Sequence, residues 1–494
     1  MAISPLSRRC DPQVFERHWG IPVPYYTEVH MKVTNPLGSQ YDALTLPEHT
    51  FTIQMETPQK LTNVGEAILD SFENPIASKS LKAIAKDKLD KNPAAKAAII
   101  ISDNTRPVPY KGEEGILLPI LETLFSVGYD AKNITILIAT GTHRAMSKAE
   151  IAKMIDERVL NSGVAIVNHD CKDESNLVYL GDSSRGTRIM VNKLYVDADL
   201  KIATGLVESH FMAGASGGRK AVCPGLIGEQ STFVFHGVPF MADPASRDLN
   251  LKGNPVHMES LEVAKFVGVD FLVNVTLGPD FHVTGVFSGD LDKAHLAAVD
   301  KIAETVRVPA PEAADIVITH GGFVGINHYQ CAKCAVASLG VLKKGGYLVI
   351  IADTTDEGNV VGGINYITTL ALLKLQGAKG FLKTIGSPDW TFLPEQWQVQ
   401  MWAKVFDRID QDHMLFYSPS LDELWWPGLP GINGKRFLPE ADQKNPGPDC
   451  FTKMVSGAIK YIESETKKKA EDLSIVYISD GPYVIPYTED SLEN

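Results

Sequence analysis

Cysteine is scarce, with six in 494 residues. That density excludes a disulfide framework for a chain of this size. Long apolar runs are also missing. None approaches the roughly 20 residues that span a bilayer, so a helical membrane protein is excluded. Positive charge is in deficit, with 47 Lys and Arg against 60 Asp and Glu and a net charge of −13. That balance argues against nucleic acid or an anionic membrane as the main partner. Met1-Ala2-Ile3-Ser4-Pro5 shows no apolar core of signal-peptide length. There is no internal repeat and no low-complexity tract. The expectation is a cytoplasmic protein. The composition is otherwise globular, 44% apolar and 22% charged, and the length suits two to three domains.

The chemistry gathers in Gly205 to Gly237. His210, Lys220 and His236 sit there at fixed offsets, with Gly214, Gly217, Gly218 and Arg219 between the first two. The apolar run 200–204 reads as a buried strand, so His210 leaves a strand end and enters a glycine-rich loop. Backbone without Cβ atoms lets N–H groups approach an anion, and Arg219 adds charge. Lys220 is a primary amine placed as a counter-ion or as a nucleophile that holds a cofactor.

The remaining chain supplies the frame. Pro5, Pro12, Pro22, Pro24 and Pro36 break up the first forty residues, where irregular structure wrapping a neighbour is expected. A short strand follows at 50–53, a helix at 63–72 and a lysine-rich solvated surface at 82–96. Strands are predicted at 97–103, 134–140 and 164–167, with helices at 113–127, ended by Gly128, and at 147–155, opened by a Ser147–Glu150 capping box. Such alternation means a parallel sheet, and ligands bind beyond the carboxyl ends of its strands. Asp103, Asn104, Thr105 and Arg106, then His143, then His210 all follow strand ends, so they should converge on one rim. A second series carries strands at 314–320, 346–352, 414–417 and 475–479 and helices at 365–376, 394–409 and 452–468. Tyr329, Gln330 and Lys333 fall where one of its helices begins. The fold class is therefore α/β with two domains, each a mainly parallel sheet flanked by helices, and the active site in the interdomain cleft. The Pro/Ala-rich stretch 306–311 divides residues 1–306 from 307–494.

Two histidines, an arginine and a glycine-cradled lysine on one rim suit proton handling at a flat intermediate, as a racemase or epimerase requires. Arg106 and Lys333 could hold a substrate carboxylate. The C–H of a 2-hydroxy acid is too weakly acidic for histidine alone, so a bound hydride acceptor is needed.

Asp103-Asn104-Thr105-Arg106-Pro107, Thr140-Gly141-Thr142-His143-Arg144, His210-Phe211-Met212-Ala213-Gly214, Ser216-Gly217-Gly218-Arg219-Lys220, His236 and Tyr329-Gln330-x-x-Lys333 together resemble the nickel-dependent lactate racemase family. The resemblance covers about residues 45–480. It implies a nickel-pincer nucleotide tethered through Lys220, with His236 as nickel ligand. It also implies His143 and His210 as the acid/base pair, Asp103 to Arg106 against the cofactor, and Arg106, Tyr329, Gln330 and Lys333 at the substrate. The activity it implies is inversion of C2 in a 2-hydroxy acid by reversible hydride transfer. The implied partners are that small acid and the cofactor-biosynthesis proteins needed for loading. Oligomeric state stays open, a homo-oligomer included. Two alternatives also stay open. One is another 2-hydroxy acid redox or elimination reaction on the same cofactor. The other is a non-catalytic nucleotide- or nickel-binding protein. The first forty residues and the stretch 390–448, with Trp390, Trp397, Trp402, Trp425 and Trp426, exceed what a minimal member needs. Those tryptophans read as packing. The lone Cys331-x-x-Cys334 reads as buried thiols, and His169-Asp170-Cys171 as a strand-end loop.

Overall fold

The computed structural model of the chain describes residues 30–493. The wrapping segment expected over the first forty residues thus lies largely outside the described residues. Two six-stranded sheets carry the chain. The first runs, edge to edge, 283–289, 271–277, 200–206, 97–102, 134–139, 165–168. All its neighbours pair parallel except 271–277 with 283–289. The second runs 432–433, 414–417, 342–351, 314–320, 475–478, 51–53 and is parallel throughout.

Both sheets explain the unbroken apolar runs. Ile99, Ile100 and Ile101 are completely buried, as are Ile316, Val317 and Ile318. A strand covered on both faces has no polar side to present, so alternation disappears. The predicted α/β class with mainly parallel sheets is what the structure shows.

Local signals also hold. Ser147 and Glu150 form the capping box, and Gly128 ends its helix at φ 108°. The helix expected from Glu113 starts at Leu117, because Gly115 turns back on Gly112 and Ile116 bonds Pro109. The lysine-rich stretch is a helix over Leu81–Lys91 that buries Leu81 and Ala85. The helix expected to close at Gln376 breaks at Gly377, φ 67°, and resumes to Ile385. An antiparallel hairpin over 177–192 had no expectation.

The strand at 51–53 joins the second sheet, beside 475–478. Leu44 and Leu46 pack in that sheet's core with Ile316 and Ile475. A cut at residue 306 therefore separates this strap from the body that buries it. No described helix is long and apolar enough to cross a membrane.

Ile53 is 1% exposed at this junction. Ile53→Ala is expected to lower stability by about 2–5 kcal/mol in urea denaturation. A loss under ~0.5 kcal/mol, the level of a surface change, would show that the strap is not part of the cooperative core.

Candidate active site

Strands 200–206, 97–102 and 134–139 lie side by side, and each delivers part of the site from its carboxyl end. After 97–102, Asp103 turns inward and is 4% exposed. Its Oδ1 accepts from Thr105 N at 3.1 Å and Thr105 Oγ1 at 2.5 Å. Its Oδ2 lies 2.7 Å from Nδ1 of His143, which follows strand 134–139. Burial opposes ionisation of Asp103, but the bonds from His143 and Thr105 outweigh it and hold the carboxyl below the usual range. Nδ1 of His143 therefore carries hydrogen toward that carboxylate. The His143 side chain is 54% exposed.

After 200–206 the chain makes a two-residue ladder, Ser209–His210 against Gly214–Ala215. The loop closes through Gly214, Gly217 and Gly218 at φ 76°, 71° and 52°. A Cβ on Gly217 would lie 2.7 Å from Val207 Cγ2, and one on Gly218 2.6 Å from the His295 ring. Only glycine fits such backbone. Asn274 holds this turn, accepting from Gly218 N at 3.0 Å and donating to Gly205 O at 3.1 Å.

His210 Nδ1 accepts two backbone bonds, from Met212 N and Ala213 N, each at 3.2 Å. Nε2 must then bear the hydrogen, and it lies 2.8 Å from Lys220 Nζ. An ammonium there would set donor against donor, so the Lys220 amine accepts with a lone pair. Removal from water, then the charges of Arg219 and Arg106, hold Lys220 well below the lysine range. Removal from water, then Lys220, Arg106 and Lys333, hold His210 well below the histidine range. Among the described residues, none of Arg106, Lys220 and Lys333 is in an ion pair. Lys333, on helix His328–Ala337 of the second half, is pushed down to about 8 by burial and then by Arg106.

His236 caps helix Glu229–Phe235 at its C-terminus. Its Nδ1 donates to Thr232 O at 2.8 Å, leaving Nε2 free to bind. Burial pushes it down to about 4. Its ring meets Trp397 edge-on at 5.3 Å, and its carbonyl accepts from Gln400 Nε2 at 2.8 Å.

The chain resembles known proteins over most of its length. Residues 37–248 match the family model "Lactate racemase N-terminal domain". Lactate racemase of Lactiplantibacillus plantarum is 34% identical over 360 residues, 72% of this chain and 80% of the relative. That of Thermoanaerobacterium thermosaccharolyticum is 32% identical over 377 residues, 75% and 84%. The chain belongs to the lactate racemase family. The solved lactate racemase apoprotein of T. thermosaccharolyticum superposes with TM-score 0.77 at 28% identity, covering 93% of this chain and all of that one. A Thermotoga maritima protein shares the fold alone, with TM-score 0.55 at 16% identity. Membership makes this chain an isomerase of the racemase class.

The residues expected in this racemase site take different partners. Asn104 donates to Glu150 at 3.3 Å, and Thr105 donates to Asp103. Arg219, expected to add charge to an anion cradle, turns into the core. It is fully buried, donating to Ala213 O at 2.7 Å with His295 Nε2 3.0 Å away. Tyr329 accepts from Trp397 Nε1 at 2.9 Å. Gln330 keeps a buried Oε1 without a partner. Cys331 and Cys334 are buried free thiols, and His169 is a packed histidine bonded to Ile227 O and Asn192. Sequence reasoning missed Asn274 and Gln400, and it read Trp397 as packing without placing it against His236. A lone Asn inside the buried run Phe271–Leu277 was the available signal for the first.

A folded-state lysine held below its unfolded value leaves the unfolded chain binding the extra proton. Stability then climbs with pH until the unfolded lysine itself loses its proton. Lys220→Met is expected to raise the unfolding midpoint of the unloaded protein at about pH 7 and to flatten its climb from about pH 7 to 10. An unchanged slope would contradict the neutral amine.

Proposed function

We propose that this racemase inverts C2 of a 2-hydroxy acid with a nickel-pincer nucleotide held covalently by Lys220, the metal bound by His236. The supporting observation is the Lys220 amine 2.8 Å from His210 Nε2, held well below the lysine range by burial and with no carboxylate paired to it among the described residues. Unpaired cations there suit an anionic nucleotide and a substrate carboxylate. An amine that is not protonated is a nucleophile open to acylation. Nε2 of His236 is a neutral imidazole donor, a good partner for nickel beside sulfur. The chain's residues therefore fit the group. When bound, such a nucleotide supplies a reversible hydride acceptor.

The protein's own groups do the rest. Arg106 and Lys333 hold the carboxylate from opposite halves, and Gln330 Oε1 awaits a donor from the substrate. His143 Nε2 takes the hydroxyl proton, and Asp103 steadies the imidazolium that results. His210 is the other member of the acid/base pair, its Nε2 turned to the substrate once Lys220 is acylated. The chain up to 306, apart from the strap at 44–53, forms the cofactor half, and 307–494 with that strap the substrate half, with the cleft between them. Loading needs the cofactor-biosynthesis proteins, and the reading places the enzyme in the cytoplasm. Lactate is the first substrate to try, because the relatives named above are lactate racemases.

Protein produced with the cofactor pathway should carry added mass on the Lys220 peptide, absent in Lys220→Ala, and interconvert enantiomers in a chiral screen of 2-hydroxy acids. Arg106→Ala and Lys333→Ala should each raise KM about 10- to 100-fold, as loss of a charge-assisted bond does. Loaded protein that inverts no acid in the screen would overturn the reading.

A further inference from the structure

His236, the nickel ligand of the reading above, is not held by its own half alone. It caps the C-terminus of helix Glu229–Phe235, where carbonyls lack partners within the helix. Inside the first half its ring is tied through Nδ1 to Thr232 O at 2.8 Å. Its backbone carbonyl is satisfied from the second half, by Gln400 Nε2 at 2.8 Å. Gln400 is fully buried, and its Oε1 has no partner among the described residues. A buried acceptor left unpaired is destabilising, so an apolar side chain would suit the place better were it not for the Nε2–H.

Gln400 is one of three side chains that reach across. Trp397, Gln400 and Lys404 recur at i, i+3 and i+7 on helix Gln396–Arg408, which puts them on one face. Trp397 meets the His236 ring edge-on at 5.3 Å. Lys404 Nζ donates to Asp243 O at 3.0 Å and to Ser246 O at 2.6 Å. Just before the helix, Phe392 stacks on Phe233 at 4.4 Å. The chain on either side of His236 is thus gripped from the second half.

We propose that Gln400 is a positioning residue for His236, and that through it the substrate half holds the nickel ligand in place. The inference rests on the racemase reading above, which makes His236 the ligand. Helix ends fray, and a ligand on a fraying end holds a metal loosely. The Gln400 bond closes that end. Groups that fix a ligand without touching the metal set how tightly the metal is bound.

The test is the rate at which loaded, full-length protein gives up nickel to excess EDTA, read by metal analysis of the protein against time. Gln400→Met keeps the shape of the side chain and removes the donor. It should release nickel about 10- to 100-fold faster than wild type. Gln400→Glu, which keeps the size and loses the donor when ionised, should also release it faster. Gln398→Met is the control. Gln398 is buried on the same helix but donates to Tyr329 O, at 2.6 Å, within its own half. Its replacement should leave nickel release unchanged. Equal acceleration in Gln398→Met and Gln400→Met would report a general loosening of the helix and overturns the inference. Gln400 variants that keep nickel as long as wild type overturn it too. His236→Ala tests the reading beneath: if that variant holds nickel as firmly as wild type, the ligand assignment fails and the functional reading with it. Rapid loss from His236→Ala with no effect of the Gln400 variants overturns this inference alone.

Discussion

One side chain holds the site in shape. Asn274 reaches from strand 271–277 to grip both Gly205, at the end of the neighbouring strand, and Gly218, beyond the loop. Between those two anchors lies His210, and two residues past the second lies Lys220. The glycines pack so tightly against Asn274, Val207 and His295 that the loop has one backbone path. Arg219 locks the far side by donating to Ala213 O. Hydrogen bonds in a buried, low-dielectric setting are strong, and here they fix where an imidazole meets an amine.

That geometry decides the electrostatics. Burying cations without partners costs free energy, and the usual relief is to lose the charge. Lys220 takes that route, and its hydrogen bond with His210 reports it. Lys333 is moved partway, with Glu208 and Asp248 supporting its charge at longer range. The protein thus gathers Arg106, Lys220 and Lys333 without an ion pair among the described residues and holds the Lys220 amine well below the lysine range. Across the rim, His143 keeps the carboxylate that His210 lacks. The tie from Gly141 N to Gly225 O, and from Gly225 N to Lys220 O, joins the His143 loop to the Lys220 segment.

The parallel-sheet frame was legible because apolar runs, caps and strand-end polar residues are local signals. The meeting of His210 with Lys220 was legible because glycine-rich spacing is local too. What escaped depends on contacts distant in sequence. The inward turn of Arg219 is set by His295, 76 residues on. The hold of Trp397 and Gln400 on His236 crosses about 160 positions, and spacing carries no trace of it. The strand at 51–53 was visible, but its sheet was not, because register is decided by the partner at 475–478.

The most direct test of the account is a crystal structure of the loaded protein with data collected at the nickel absorption edge. It should show an anomalous peak bonded to His236 Nε2, density continuous from the nucleotide to Lys220 Nζ, and the His143 and His210 rings on opposite sides of the metal. Nickel bound elsewhere, or both rings on one side of it, would contradict the account.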